Sequence, residues 1–252
     1  MIGVTAYTAA LSAVPAELAG LAGIQETGLL QGGRTTSAAA VYAQRAVARM
    51  QIDPTDLALA CLCGPGGPMV SAFDGAWKRS SDGRLTGTDF AARSRRIHPF
   101  TLLRSLQNQV AAHLSIEFGL QGPCLNALQN PTALAWMLPQ LTALAATHRG
   151  VLLVLAAAGE QQEEGARRRA RVGEGPGLEG AVSLLLTRDP ALGYLETVEA
   201  DSGFECTSLE RTAPVPMLGV QILRLLASGP SAATLQLVDA DGTRAALRWR
   251  RA

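Results

Sequence analysis

The side chains able to do covalent or acid-base chemistry are few and scattered. Four cysteines lie at positions 61, 63, 124 and 206, and three histidines at 98, 113 and 148. Cys61-Leu62-Cys63 sits in an apolar run, which puts both sulfurs on one face of a strand, where small buried core residues belong. No pair of C-x-x-C units and no matching histidine spacing exists for zinc, so neither metal nor cofactor is expected. His98 precedes a proline, His113 falls on a helical stretch and His148 follows an apolar one; each reads as a surface or capping residue. General acid-base work would need one of them beside a nucleophile. Ser183, Ser208 and Cys206 are the groups a stand-alone acyl-thioester enzyme could use, but no Gly-x-Ser-x-Gly elbow surrounds them. Gly64-Pro65-Gly66-Gly67 lacks the Lys-Ser/Thr of a phosphate loop, and its proline removes an amide donor.

The elements that must position these residues follow from periodicity. Residues 1–7 read as a short strand, 37–50 as a helix and 57–63 as a buried strand. The stretch from Gly64 to about Arg96 has no period and reads as a long irregular region. A helical stripe over Leu102–Phe118 (Leu103, Leu106, Val110, Leu114, Phe118) stops at Gly119, a natural C-cap. Cys124–Leu128 reads as a strand, Thr132–Thr147 as a nearly all-apolar helix and Val151–Ala158 as a strand buried on both faces. A charged, glycine-rich loop over 161–178 separates these from strands at 181–187 and 193–200. The last segment reads as a helix over Val215–Ala227, with Leu218, Ile222, Leu225 and Leu226 inward, and a hairpin of Thr234–Val238 and Arg244–Trp249. Such alternation predicts an α/β layered domain. No internal repeat of 20 to 50 residues is visible.

With 252 residues the chain can bury an ample core without disulfides. A formal net charge of +1 gives no footprint for nucleic acid. The longest apolar run, 151–158, is far short of the about 20 residues a membrane span needs. Met1-Ile2-Gly3-Val4 has no basic n-region, so a cytoplasmic location is expected. Charge is concentrated locally in two arginine clusters, Arg93/Arg95/Arg96 and Arg167/Arg168/Arg169. They read either as solvated loops or as docking points for an acidic carrier.

His98-Pro99-Phe100, Gln109-Val110-Ala111-Ala112, Phe118-Gly119-Leu120-Gln121-Gly122-Pro123 and Gly180-Ala181-Val182 together resemble the N-terminal half of β-ketoacyl synthases. In those thiolase-fold enzymes a Phe-Gly-Leu-x-Gly-Pro turn leads to a strand, a nucleophilic cysteine and a buried helix. A thiolate with its pKa lowered at a helix N-terminus is what attacks an acyl thioester. Here that place reads Gln129-Asn130-Pro131-Thr132, and Cys124 stands at the strand start instead. Nor does the sequence after position 200 hold the family's catalytic histidines and lysine.

Both losses resemble chain-length factors, the silent partners of ketosynthases, and most of all the half-size subunits of bacterial aryl polyene pathways. The resemblance implies a truncated thiolase-like fold, a layered mixed sheet with a buried helix over 1–200; the helix and β-hairpin over 201–252 match no pattern of that family, rest on period alone, and are expected to pack on it. It implies a heterodimer with a full-length ketosynthase, formed through Cys124, Leu125, Asn126, Ala127 and Leu128. It also implies an acyl tunnel lined by Phe100, Thr101, Leu102, Leu103 and, more weakly, Pro65, with an acyl carrier protein engaged indirectly. A purely structural scaffold is the remaining alternative.

Overall fold

In the computed structural model the described residues are 1–63, 106, 108–128, 131–158, 178–198, 206–208, 215–228, 231–238 and 243–252. Ten strands form one sheet: β1 (Ile2–Leu11), β2 (Ile24–Glu26), β3 (Leu57–Cys63), β4 (Cys124–Leu128), β5 (Gly150–Ala157), β6 (Gly180–Thr187), β7 (Gly193–Val198), β8 (Cys206–Ser208), β9 (Ala232–Val238) and β10 (Arg244–Arg251). Among the described residues four α-helices accompany them: α1 (Ala38–Ala48), α2 (Gln109–Phe118), α3 (Pro131–Thr147) and α4 (Val215–Ser228). The strand order is β4-β3-β5-β6-β1-β7-β10-β9-β8, with β2 paired to the far end of β1.

β3, β4 and β5 run parallel, β6 is antiparallel to β5 and to β1, and β7 touches β1 over only three residue pairs. That short junction divides the sheet. On one side β3 is buried at every residue, as its unbroken apolar run demands. α1 and α2 cover one face of this half, packing Tyr42, Val47 and Leu114 with Leu59, Cys61 and Val154. α3 and α4 cover the other face, in a cluster that joins Leu134, Leu141 and Ile222 to Leu153 and Val182. The same cluster contains Leu195, Leu235, Leu247 and Trp249 from β7, β9 and β10, so the second half of the sheet closes over α3. Among the described residues the layers are therefore helix, sheet, helix, sheet.

The second half repeats the first in shortened form. β4–α3–β5–β6 with β1 has its counterpart in β8–α4–β9–β10 with β7: strand, buried helix, then two antiparallel strands closing on the earliest one. Among the described residues the second copy has no equivalent of β3, so β8 pairs straight with β9. No sequence period announces this.

Several expectations need correction. β1 continues to Leu11 rather than ending near residue 7, because Ala9, Ala10 and Leu11 are enclosed between β6 and β2. α2 starts at Gln109, not Leu102; of the earlier stretch, residues 102–105 lie outside the described residues and Leu106 is outside the helix and 45% exposed. The start is fixed by Gln109 itself, whose Oε1 accepts from Ser37 N (3.3 Å) and Ser37 Oγ (2.7 Å) while Nε2 donates to Thr35 O. In α4 the expected inward residues all face the core, Leu218 and Ile222 fully buried and Leu225 and Leu226 partly buried against the same cluster, and among the described side chains Val220 and Leu223 are fully buried beside them. Here Gly219 sets the face: a Cβ on it would lie 2.6 Å from Val182 Cβ, so α4 rests its backbone on β6. The hairpin of β9 and β10 is antiparallel as expected, its turn lying outside the described residues.

Candidate functional site

The turn before β4 is built by two glycines. Gly119 ends α2 in the left-handed region (φ 63°), letting Leu120 N–H reach back to Ser115 O at 3.0 Å. Gly122 passes so close to β3 that a Cβ would sit 2.2 Å from Leu57 O. These contacts aim the chain into β4, which pairs with β3 from Leu59↔Cys124 to Cys63↔Leu128. Leu59 N–H donates to Pro123 O at 2.9 Å. In a parallel ladder this register turns the amides of Leu125 and Ala127 toward β3 and that of Asn126 outward. Among the described residues β4 is the last strand of the sheet on this side, and no described strand pairs with its outward backbone groups.

Of the residues expected at the nucleophile position, Gln129 and Asn130 lie outside the described residues, and Pro131 opens α3. Thr132, next on the helix, is 2% exposed and already engaged in an interaction, so it presents no hydroxyl to a substrate. The thiols nearby are no better. Cys124 is exposed as a residue, yet desolvation first and Cys63 second push its thiol up, away from thiolate. Cys61 is fully buried, and the Cys63 hydrogen bond together with burial pushes its thiol well up. Reactive thiols need the opposite shift.

The histidines are elsewhere. His113 on α2 faces Gln44 of α1 (Nε2 to Oε1, 3.4 Å), on the far side of the sheet from α3. His148 follows the C-terminal end of α3, roughly 24 Å along the helix axis from Pro131. There its Nδ1 meets Asp56 Oδ1 at 2.6 Å, beside an Arg149–Asp53 pair. Both are polar fastening residues, and His98 lies outside the described residues. Ser183 is wholly buried on β6 with an unpartnered hydroxyl, so it cannot meet a substrate either. The backbone of β8 is described at Cys206 and Ser208, whose side chains fall outside the described residues.

Two expected site groups have no described geometry. The tunnel residues Pro65, Phe100, Thr101, Leu102 and Leu103 lie outside the described residues. So do all six arginines expected to dock a carrier: Arg93, Arg95, Arg96, Arg167, Arg168 and Arg169. Among the described residues no group of three or more His, Cys, Asp or Glu could hold a metal, and no helix is long and apolar enough to cross a membrane.

Sequence reasoning missed one feature. α3 is mostly enclosed, but its flank carrying Trp136, Pro139, Gln140 and Ala143 is exposed, Trp136 at 70%. A helix apolar nearly all round is the kind that packs on every side. Leu125 and Ala127 of β4, half-buried, pack against the same core cluster as α3. Among the described residues, the outer side of β4 and this flank are the outstanding surfaces of the region.

No protein-family model and no curated protein matches the sequence. Solved structures do. The ketosynthase ApeO in complex with its chain length factor ApeC from Xenorhabdus doucetiae matches at a TM-score of 0.55 and 17% identity, covering 99% of both chains. The ishigamide ketosynthase/chain length factor matches at 0.60 and 12%, again over 99% of each chain. A β-ketoacyl synthase from Burkholderia phymatum matches at 0.54 and 9%, over 88% of this chain and 83% of that one. The chain has the thiolase-like fold of ketosynthases and chain length factors.

Proposed function

We propose that this chain is a catalytically silent, chain-length-factor-type subunit that pairs with a full-length ketosynthase in the cytoplasm. The observation that carries the reading is the β4–α3 junction. In a ketosynthase fold, the helix start that would hold the nucleophile offers a buried Thr132, and no histidine among the described residues stands near it. A fold kept without its chemistry is explained by work done against another subunit. The outer edge of β4, at Cys124, Leu125, Asn126, Ala127 and Leu128, unpaired among the described residues, supports pairing with a partner strand. Two of the matching structures are, by their descriptions, complexes of a ketosynthase with a chain length factor.

Within that pairing Phe100, Thr101, Leu102 and Leu103, with Pro65, line the partner's acyl tunnel and set how many two-carbon units fit, as in aryl polyene assembly. Arg93, Arg95, Arg96, Arg167, Arg168 and Arg169 meet the acidic carrier protein that delivers them. Co-expression with a full-length ketosynthase from the same organism tests the reading: a one-to-one complex should form, and elongation should depend on it. Thr101→Trp should then shorten the products. An intact complex with unchanged products would leave a scaffold; no complex at all would overturn the proposal.

A further inference from the structure

We infer that Gln109 is a positioning residue: its buried carboxamide fixes the base of the segment that carries Phe100 to Leu103, and through that segment the length of the product. The inference rests on the tunnel reading proposed above and names what holds the segment in place. Gln109 is 9% exposed at the start of α2, and both ends of its side-chain amide are bonded. Its Oε1 accepts from Ser37 N–H at 3.3 Å and from Ser37 Oγ–H at 2.7 Å, and its Nε2 donates to Thr35 O at 3.3 Å. Ser37 is also the N-cap of α1, where its Oγ accepts from Ala40 N–H at 3.3 Å. One chain of hydrogen bonds therefore joins the starts of two helices.

The other side of this clamp is fixed as well. Residues 28–37 are held at their far end by Tyr42, a buried residue of α1 whose hydroxyl donates to Gly28 O at 2.9 Å and accepts from Leu30 N–H at 3.0 Å. Gly32 folds so closely on the same stretch that a Cβ would lie 2.5 Å from Thr36 O. The place of the clamp matters as much as its rigidity. α2 ends at Gly119, near the start of β3, where Gly122 meets Leu57 O; its first turn, roughly 15 Å away along the axis, therefore lies toward the carboxyl ends of β3 and β4. Pro131 opens α3 at that same end, and it is the end at which parallel α/β strands present their ligand sites. Gln109 N–H donates to Leu106 O at 3.1 Å, and Leu103, six residues before Gln109, stays within roughly 20 Å of the clamp along the chain. An apolar residue at 109 would extend the buried stripe of Val110, Ala111 and Leu114 and keep α2 packed. It would leave the Ser37 donors and Thr35 O without their partner, and the start of α2 would lose its fixed point.

The test uses the complex with a full-length ketosynthase of the same organism and reads product length, binding affinity and thermal midpoint together. Gln109→Leu should bind within about threefold of wild type and change the ratio of long to short products by about tenfold, the size of one or two net hydrogen bonds. Ser37→Thr, which keeps the hydroxyl, should give the wild-type distribution, and Ser37→Ala a shift of about threefold. Should Gln109→Leu fail to fold or to bind, Ser37→Ala decides, because the Ser37 N–H and Thr35 O bonds to Gln109 remain. A folded, bound Gln109→Leu or Ser37→Ala with unchanged products, where Thr101→Trp does change them, would overturn the inference and leave the tunnel reading standing, even if the thermal midpoint falls: the clamp would then only fasten two helices. If Thr101→Trp changes nothing either, or the wild type forms no complex, the parent reading falls and this inference with it.

Discussion

β4–α3 and β8–α4 are two renderings of one unit, and they differ most at their outer ends. In the first, β3 stands between the end strand and β5, and the end strand runs for five residues with the Asn126 amide pointing outward. In the second, the end strand β8 is described over three residues and, among the described residues, rests directly on β9. An unpaired strand edge presents backbone donors and acceptors that another strand can meet. The outer faces differ too. α1 and α2 cover the first copy, while the outward row of the second carries Glu196 between Arg248 (3.5 Å) and Arg250 (3.0 Å). The shortened copy keeps what is needed to enclose α3, and the fuller copy keeps the adhesive surface.

The comparison can be broken most forcefully at Trp249, which is 1% exposed on β10 and packs in the cluster containing Leu134, Leu141 and Leu153. Trp249→Ala should cost about 3–5 kcal/mol, and urea unfolding should remain one transition; two separated transitions would mean that the copies are independent domains. Gly122→Ala, which drives a Cβ into Leu57 O, should cost about 1–3 kcal/mol and speed hydrogen exchange at the Leu59 amide, while the β9–β10 amides stay protected. Ser183→Ala removes a buried hydroxyl that has no partner beneath the helix-covered face, and chemical denaturation should show it neutral or stabilising by up to about 1 kcal/mol. Glu196→Gln acts on the outward row of the other copy, where Glu196 meets Arg248 and Arg250. It should cost only about 0.2–1 kcal/mol, a loss that fades with added salt.

How much of this was legible depended on whether local pattern or tertiary contact decided each element. β3 and β4 stand at their expected boundaries because an apolar run bounded by Gly-Pro signals leaves little choice. The apolar length of α3 was equally clear. Its exposed flank was not, since a helix without a polar face gives no sign of which side is covered. The last turn of β1 is alanine-rich and extended only because β6 and β2 hold it, a contact no window contains. The true start of α2 depends on Gln109 reaching Ser37, 72 residues earlier. At the candidate site the missing thiol could be read directly, while the burial of Thr132 and the exposure of Trp136 required the packed layers.

The pairing of β1 carries a consequence for synthesis. Apart from its far end against β2, this first strand finds its described strand neighbours in β6 and β7, which begin at residues 180 and 193. At ribosomal rates of about 5–20 residues per second, it waits roughly 10–30 s for them. During that interval an apolar strand with weak local preference is open to any other nascent chain. Slower initiation, lower temperature or simultaneous translation of a partner should therefore change the soluble yield of this chain more than its final stability would suggest.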